Sequence, residues 1–286
     1  MFRLYLNLCV VFFFVAVANG QSPVKMGKLE SAKLTEVSGM ITSHFYKNTF
    51  WVHNDSGDGA AIYLIDSLAQ LKASVELEGV TVIDAEDIAS LFIDGIPYLL
   101  LADMGNNLRD RDTLSLYLFR EPVLTPGRDS YIISRKEISE IKFRYTDKRR
   151  DAEALFVDPV DNKIYIISKR DFRSTLFSFT LTAGRTGLLQ ELSPQLELPF
   201  TFATGADISE DGRYIVIKNL TSVFLWKRNP GQDILSALKQ PSRQIPYEVE
   251  PQGEAICFDR FDSCFYTISE QPLGLKSYLY KYKYEK

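Results

Sequence analysis

Acidic side chains recur along this sequence at a spacing that could gather them around one point. A carboxylate close to small and apolar residues stands in Glu36 with Ser38-Gly39-Met40, in Ala85-Glu86-Asp87-Ile88, in Ala152-Glu153-Ala154-Leu155, in Gly205-Ala206-Asp207-Ile208 and in Gly253-Glu254-Ala255-Ile256. Recurrence at roughly 50 residues is the mark of a repeat architecture. If the repeats converge, Glu36, Glu86, Glu153, Asp207 and Glu254 repel one another in a partly dry site. They then need protons, a basic partner, or a hard cation that prefers oxygen ligands, of which Ca2+ fits best. The competing reading is that each carboxylate accepts hydrogen bonds from backbone amides of the neighbouring repeat.

A second polar set falls at the ends of apolar runs: His53, Asn54, Asp55, Asp103, Asn106, Asn107, Lys169, Arg170, Lys218, Asn219 and Glu270. With a cation nearby, Asp55 or Asp103 could act as a base toward water. His53, Asn54, Asn106, Lys169, Lys218 and Glu270 would then hold a small anionic ester. The two lysines could equally do no more than neutralise neighbouring acids. Asp55-Ser56-Gly57-Asp58-Gly59 has the composition of a calcium loop, but a plain turn is the favoured reading. Only His44 and His53 are present, which excludes a multi-histidine zinc site and makes a serine triad hard to build.

The elements that must position these groups are short strands. After Gly20, apolar and polar residues alternate over short runs rich in β-branched and aromatic types, and helix-period stretches are nearly absent. Each acidic phrase opens a first strand; second strands follow at Phe50, Tyr98, Ile164, Tyr214 and Phe265, and third strands at Ile62, Leu114, Thr175, Val223 and Tyr278. Weaker fourth strands read at Ala73 to Leu77, Ile138 to Tyr145, Leu192 to Leu198 and Arg243 to Val249. This is an all-β, five-bladed β-propeller pattern. The fifth unit ends after its third strand, and Lys25 to Glu30 can supply the missing one, closing the ring. Six blades is the alternative, because the Glu86 to Glu153 interval is the longest. In a propeller, the start of the first strand and the end of the second meet on one face, so the two polar sets become two concentric rings.

The N-terminus carries Arg3, an apolar run from Leu4 to Ala18 and small residues at Ala18 and Gly20, the pattern of a secretory signal peptide cut after Gly20. Residues 21–286 then form a single domain, expected to be secreted, monomeric and free of the membrane. The net charge is −4 and no basic block is present, which argues against nucleic acid as a partner. Cys257 and Cys264 remain as an even pair across a turn, for which a disulfide and two free thiols are both open. Asn54-Asp55-Ser56 and Asn219-Leu220-Thr221 are glycosylation sequons; a glycan at Asn54 would crowd the acidic face, so Asn54 is expected to be unmodified.

As a set, His53-Asn54-Asp55-Ser56-Gly57, Glu86-Asp87-Ile88-Ala89, Asp103-Met104-Gly105-Asn106-Asn107, Asp151-Ala152-Glu153-Ala154-Leu155, Lys169-Arg170, Thr204-Gly205-Ala206-Asp207-Ile208-Ser209, Gln252-Gly253-Glu254-Ala255 and Ser269-Glu270 resemble a family of secreted or periplasmic propeller proteins, some described as phytase-like esterases. The resemblance spans nearly the whole mature chain and implies a propeller with an acidic face. Ala85 stands where that family usually has tryptophan, and Asn106 where it often has aspartate. The acid-lined mouth is also similar to that of calcium-dependent nucleotidases of the apyrase type, at the level of fold alone. Two functions follow as expectations: a Ca2+-dependent hydrolase of a small anionic ester such as a phosphoester, and a binding module for an extracellular protein with a structural cation.

Overall fold

The computed structural model describes residues 22–181 and 188–284, so the expected signal segment lies outside the described residues. Five sheets form a ring, and the chain is a five-bladed β-propeller. The inner strands are Val37–Thr42, Ala85–Ile93, Ala152–Val157, Ala203–Ile208 and Gly253–Phe258. Each packs against the inner strands of the two neighbouring blades, in the cyclic order one to five and back to one. The second strands, Thr49–Asn54, Ile96–Asp103, Lys163–Ser168, Tyr214–Asn219 and Cys264–Ser269, return antiparallel beside them.

Composition explains the layering. Inner strands converge on the axis and are buried on both faces over most of their length, so small residues such as Gly39, Ala152, Ala154, Gly205 and Ala255 recur there. Second strands carry the bulk that fills the space between blades, including Phe50, Trp51, Tyr165, Phe265 and Tyr266. The Phe50 and Tyr266 rings meet edge-on at 4.6 Å across the junction of blades one and five. Full burial of one such side chain contributes about 1.5–3 kcal/mol, so the second strands supply much of the ring's cohesion.

The last blade is closed as expected: Val24–Lys28 pairs antiparallel with Tyr278–Lys283 as the outermost strand. The long interval from Glu86 to Glu153, lengthened within blade two between its third strand, Leu114–Arg120, and its outer strand, holds no sixth blade. It sends Ser130–Ile133 back to lie parallel against the outer strand Leu71–Leu77 of blade one, and Gln190–Leu192 covers the outer strand Ser139–Tyr145 of blade two in the same way. Extra strands thus protect open edges. The outer strands of blades three and four are shorter than expected, at Leu196–Glu197 and Arg243–Ile245. A short helix, Ile234–Leu238, fills the space before the latter, capped by Asp233 accepting from Ser236 N at 2.9 Å.

Cys257 and Cys264 are buried free thiols. Cys257 lies opposite Tyr266, two residues along from Cys264. Such diagonal neighbours stand about 7–8 Å apart, beyond the Cα separation of about 4.4–6.8 Å that a disulfide spans. Among the described residues, no helix is long and apolar enough to cross a membrane.

Closure depends on a close approach at Gly27, where a Cβ would overlap the backbone of Leu68 in blade one. Gly27→Val should therefore undock the closing strand and lower Tm by several degrees in a thermal melt, whereas an unchanged Tm would mean that the strand contributes no closure.

Candidate functional site

One irregularity, repeated in every blade, builds the site. The pairing of inner with second strand slips between Val37 and Gly39, Ala85 and Asp87, Ala152 and Ala154, Ala203 and Gly205, and Gly253 and Ala255. Each slip leaves one bulged residue, and a bulge re-aims its side chain. The bulged residues are Ser38, Glu86, Glu153, Thr204 and Glu254, all buried. They form the ring at the channel mouth: Ser38 Oγ donates to Glu86 O at 2.9 Å and to Glu254 Oε2 at 3.4 Å. The Lys169 ammonium is ion-paired with Glu153 and, at 3.1 Å, with Glu254.

Glu36 and Asp207, expected in this ring, stand elsewhere. Glu36 precedes its bulge by two residues and is exposed. Asp207 lies three residues below its bulge, where Oδ1 accepts from Ile208 N and Oδ2 from Phe258 N, both at 2.8 Å. Asp87 does the same for Ile88 N at 2.9 Å and Leu155 N at 2.8 Å. These two carboxylates staple one blade to the next or beyond, the alternative first set against cation binding. Aligning repeats on the acid, rather than on the strand pairing, misplaced both.

Two carboxylates missed in the sequence join the ring. In Asp55, Asp84 and Glu86, one oxygen of each lies within 4.8 Å of the others, and the same holds for Glu86, Asp151 and Glu153. Glu86 belongs to both groups. Asp84 and Asp151 each sit two residues before a bulge, in the shared tripeptides Asp84-Ala85-Glu86 and Asp151-Ala152-Glu153. That identity was the available signal. Gly105 lies against this cluster so closely that a Cβ there would overlap Glu86 Oε1 and Asp84 Oδ2. Any side chain at that position would fill the space in front of the carboxylates.

The other expected residues divide between the cluster and its supports. Asp103 pairs with Arg111 at 2.8 Å and accepts from Asp84 N at 3.0 Å, so it braces the Asp84 segment. Asn106 offers its backbone N to Asp151 at 2.9 Å and closes its own loop through both side-chain atoms onto Arg111. Asp151 also accepts from Arg170 Nε at 2.7 Å. His53 Nδ1 meets Asn54 O at 2.8 Å, while its buried Nε2 faces Gly39 and Asp87 backbone, between blades rather than over the ring. Burial drives its pKa down to about 4, so it is neutral. Asn54 is 5% exposed and donates to Lys33 O at 2.7 Å and Asp58 Oδ2 at 2.9 Å. Its amide is committed inside the fold, with no room for a glycan. Asp58 also takes the Tyr63 hydroxyl at 2.7 Å, so the segment from Asp55 to Gly59 is a turn.

Neither lysine is free for a ligand. Lys218 is fully buried, donates to Gly253 O and lies 5.1 Å from the Tyr247 ring centroid; burial brings it down to about 8, against the pull of Glu250 and Glu254. Burial also opposes the charge of Lys169, but Glu153 and Glu254 outweigh it and hold the ammonium ionised.

The acids outnumber these cations. Burial, then the charge of Asp84, raises Asp55 to about 7. Burial, then Glu254, raises Glu270 to about 8. Burial is also the leading cause that pushes Glu86 and Glu153 well above the usual carboxylate range, helped by Glu153 for the first and Glu254 for the second. Asp55 Oδ1 is buried without a hydrogen-bond partner among the described residues. The arrangement is a set of convergent oxygen donors whose charge is incompletely neutralised, a donor set suited to a hard divalent cation.

No protein-family model matches the chain, and no curated sequence is significantly similar to it. Among solved structures, it is similar to the PQQ-bound aldose sugar dehydrogenase of Streptomyces coelicolor, at 10% identity and a TM-score of 0.50, over 91% of this chain and 98% of that one. It is also similar to a luciferin-regenerating enzyme, at 14% identity and a TM-score of 0.46, over 92% of this chain and 96% of that one. At 10% identity the likeness to the dehydrogenase concerns the fold alone.

A pH test follows. Asp55 and Glu270 have folded pKa values above their unfolded ones, so their contribution to stability is complete below about pH 4 and is lost as pH rises through about 7 and 8. In a chelator, Tm should fall between about pH 5 and 8, and Asp55→Asn should flatten the fall. A chelated wild-type Tm that rises over that range would contradict the assignment.

Proposed function

We propose that this protein is a secreted, divalent-cation-dependent hydrolase of a small anionic ester, with Ca2+ as the cation. One observation carries the reading: the oxygens of Asp55, Asp84, Glu86, Asp151 and Glu153 converge in two groups that share Glu86, with more negative charge than the adjacent lysine cancels. A bound Ca2+ would neutralise that surplus and polarise an ester oxygen. The protein's own groups have separable tasks. Asp103 with Arg111, and Asn106 with Arg170, hold Asp84 and Asp151 in place. Asp55, whose buried Oδ1 has no hydrogen-bond donor among the described residues, is assigned to take a proton from water. Asp103, paired with Arg111, is assigned to positioning instead. Lys169 limits the repulsion among the acids and keeps Glu153 and Glu254 in register.

A second reading has its own support. Lys169 and Lys218, the groups expected to hold an anionic substrate, are both committed within the protein. That favours an extracellular binding module in which the cation is structural.

Turnover separates the two. A panel of p-nitrophenyl phosphate and carboxylate esters, assayed with Ca2+ and with chelator, should show Ca2+-dependent hydrolysis. Asp55→Asn should reduce it by about 10²-fold or more while leaving Tm within a few degrees. Ca2+-dependent thermal stability with no turnover on any ester would reject the hydrolase and leave the binding module.

A further inference from the structure

The other end of the channel carries a second polar feature, remote from the carboxylate ring. Where the inner strands end, a cavity of about 290 Å³ opens, to which every blade contributes a wall. Its walls are mixed: Ile41, Leu91, Phe92, Val157, Ile208 and Phe258 supply an apolar part, and polar and charged side chains such as Ser90, Asn162 and Glu210 supply the rest. Its size approaches the lower end of small-ligand pockets, about 300 Å³.

Beside the apolar part of this cavity the fold places one guanidinium. Arg260 donates from Nε and Nη2 to Thr42 O at 3.0 and 2.9 Å, and from Nη2 to Ser90 Oγ at 2.8 Å, which ties blades five, one and two together. Nη1 is left over. Its neighbour is Glu210 Oε1 at 3.9 Å, beyond hydrogen-bond range, on a side chain that is 47% exposed. The other acids of the cavity are already committed. Asp207 accepts two backbone amides, and Asp259 accepts from Phe261 N, Asp262 N and the Tyr266 hydroxyl at 2.7, 2.8 and 2.9 Å. His44 also lines the cavity. Its Nδ1 is fixed by Glu121 at 2.9 Å and its ring packs edge-on against Phe92, with centroids 4.5 Å apart. Glu121 in turn accepts from Ser43 Oγ, His44 N and Trp51 Nε1, so the imidazole is held from behind.

From this geometry we propose that the cavity is a binding site for a small apolar carboxylic acid. The carboxylate meets Arg260 Nη1, and the apolar body lies against Phe92, Phe258 and the aliphatic walls. A monoanion suits the one uncommitted nitrogen of this guanidinium, from which it can accept a charge-assisted hydrogen bond. A dianion such as phosphate would approach Glu210 with no second cation to offset it, and acetate would leave the apolar walls unfilled.

Calorimetric titration of the purified full chain with benzoate, acetate and inorganic phosphate tests this. Benzoate should bind, and more tightly than either of the others. Arg260→Lys, whose single ammonium cannot both hold Thr42 O and Ser90 Oγ and present a free N–H to the cavity, should weaken benzoate by about tenfold or more. Because that change also disturbs the contacts to Thr42, Glu210→Gln gives an independent arm: it removes the competing acid on an exposed side chain and should tighten benzoate. Binding should persist in Glu86→Gln, at the opposite mouth. The proposal is overturned if benzoate binds neither wild type nor Glu210→Gln, if folded Arg260→Lys binds it as tightly as wild type, if phosphate binds as tightly as benzoate, or if Glu86→Gln abolishes the binding.

Discussion

Five strands brought together at one axis leave little room, and this protein fills the upper end of that space with carboxylates. Two unit charges at 4.8 Å, the outer limit within each acid group, repel by about 3.5 kcal/mol at an effective dielectric of about 20. Domain stability is typically about 5–15 kcal/mol, so a few uncompensated pairs would consume it. The structure meets the constraint in part. Lys169 lies between Glu153 and Glu254, Arg111 and Arg170 hold Asp103 and Asp151, and burial keeps protons on Asp55 and Glu270 to unusually high pH. What is left over is the reason to place a cation there.

The bulge is what makes the crowding orderly. By slipping the pairing once per blade, it turns the side chains of Ser38, Glu86, Glu153, Thr204 and Glu254 into one ring while the strands below remain regular. Lower down, Asp87 and Asp207 bind backbone amides of other blades. The same residue type therefore serves as site and as staple, and its position relative to the bulge decides which.

That distinction also marks how far the sequence could be read. Blade number, strand order and closure by Val24–Lys28 follow from alternating apolar runs and from a last unit that lacks a strand. They were legible because burial enforces the pattern over many residues. The bulge is a single-residue change in pairing, invisible to hydrophobic alternation, and a one-residue shift moves a side chain to another face. Glu36 and Asp207 were hence expected in the ring, while Asp84 and Asp151 were given no place in it despite their shared tripeptide. The roles of Lys169 and Lys218 were likewise hidden, since sequence places them on the right face without revealing that Glu153, Glu254 and the Gly253 carbonyl already hold them. For Cys257 and Cys264, the even count suggested a bond that the strand offset forbids.

The central claim is that the carboxylate ring is a cation site poised by its own repulsion. Calorimetric titration of Ca2+ into the protein near pH 7, repeated in two buffers of different ionisation enthalpy, tests it most directly, because a cation that displaces the proton from Asp55 leaves a buffer-dependent heat. The account predicts saturable binding with net proton release, both lost in Glu86→Gln. A titration without binding heat in either buffer, together with a Tm that Ca2+ and chelator leave unchanged, would contradict it.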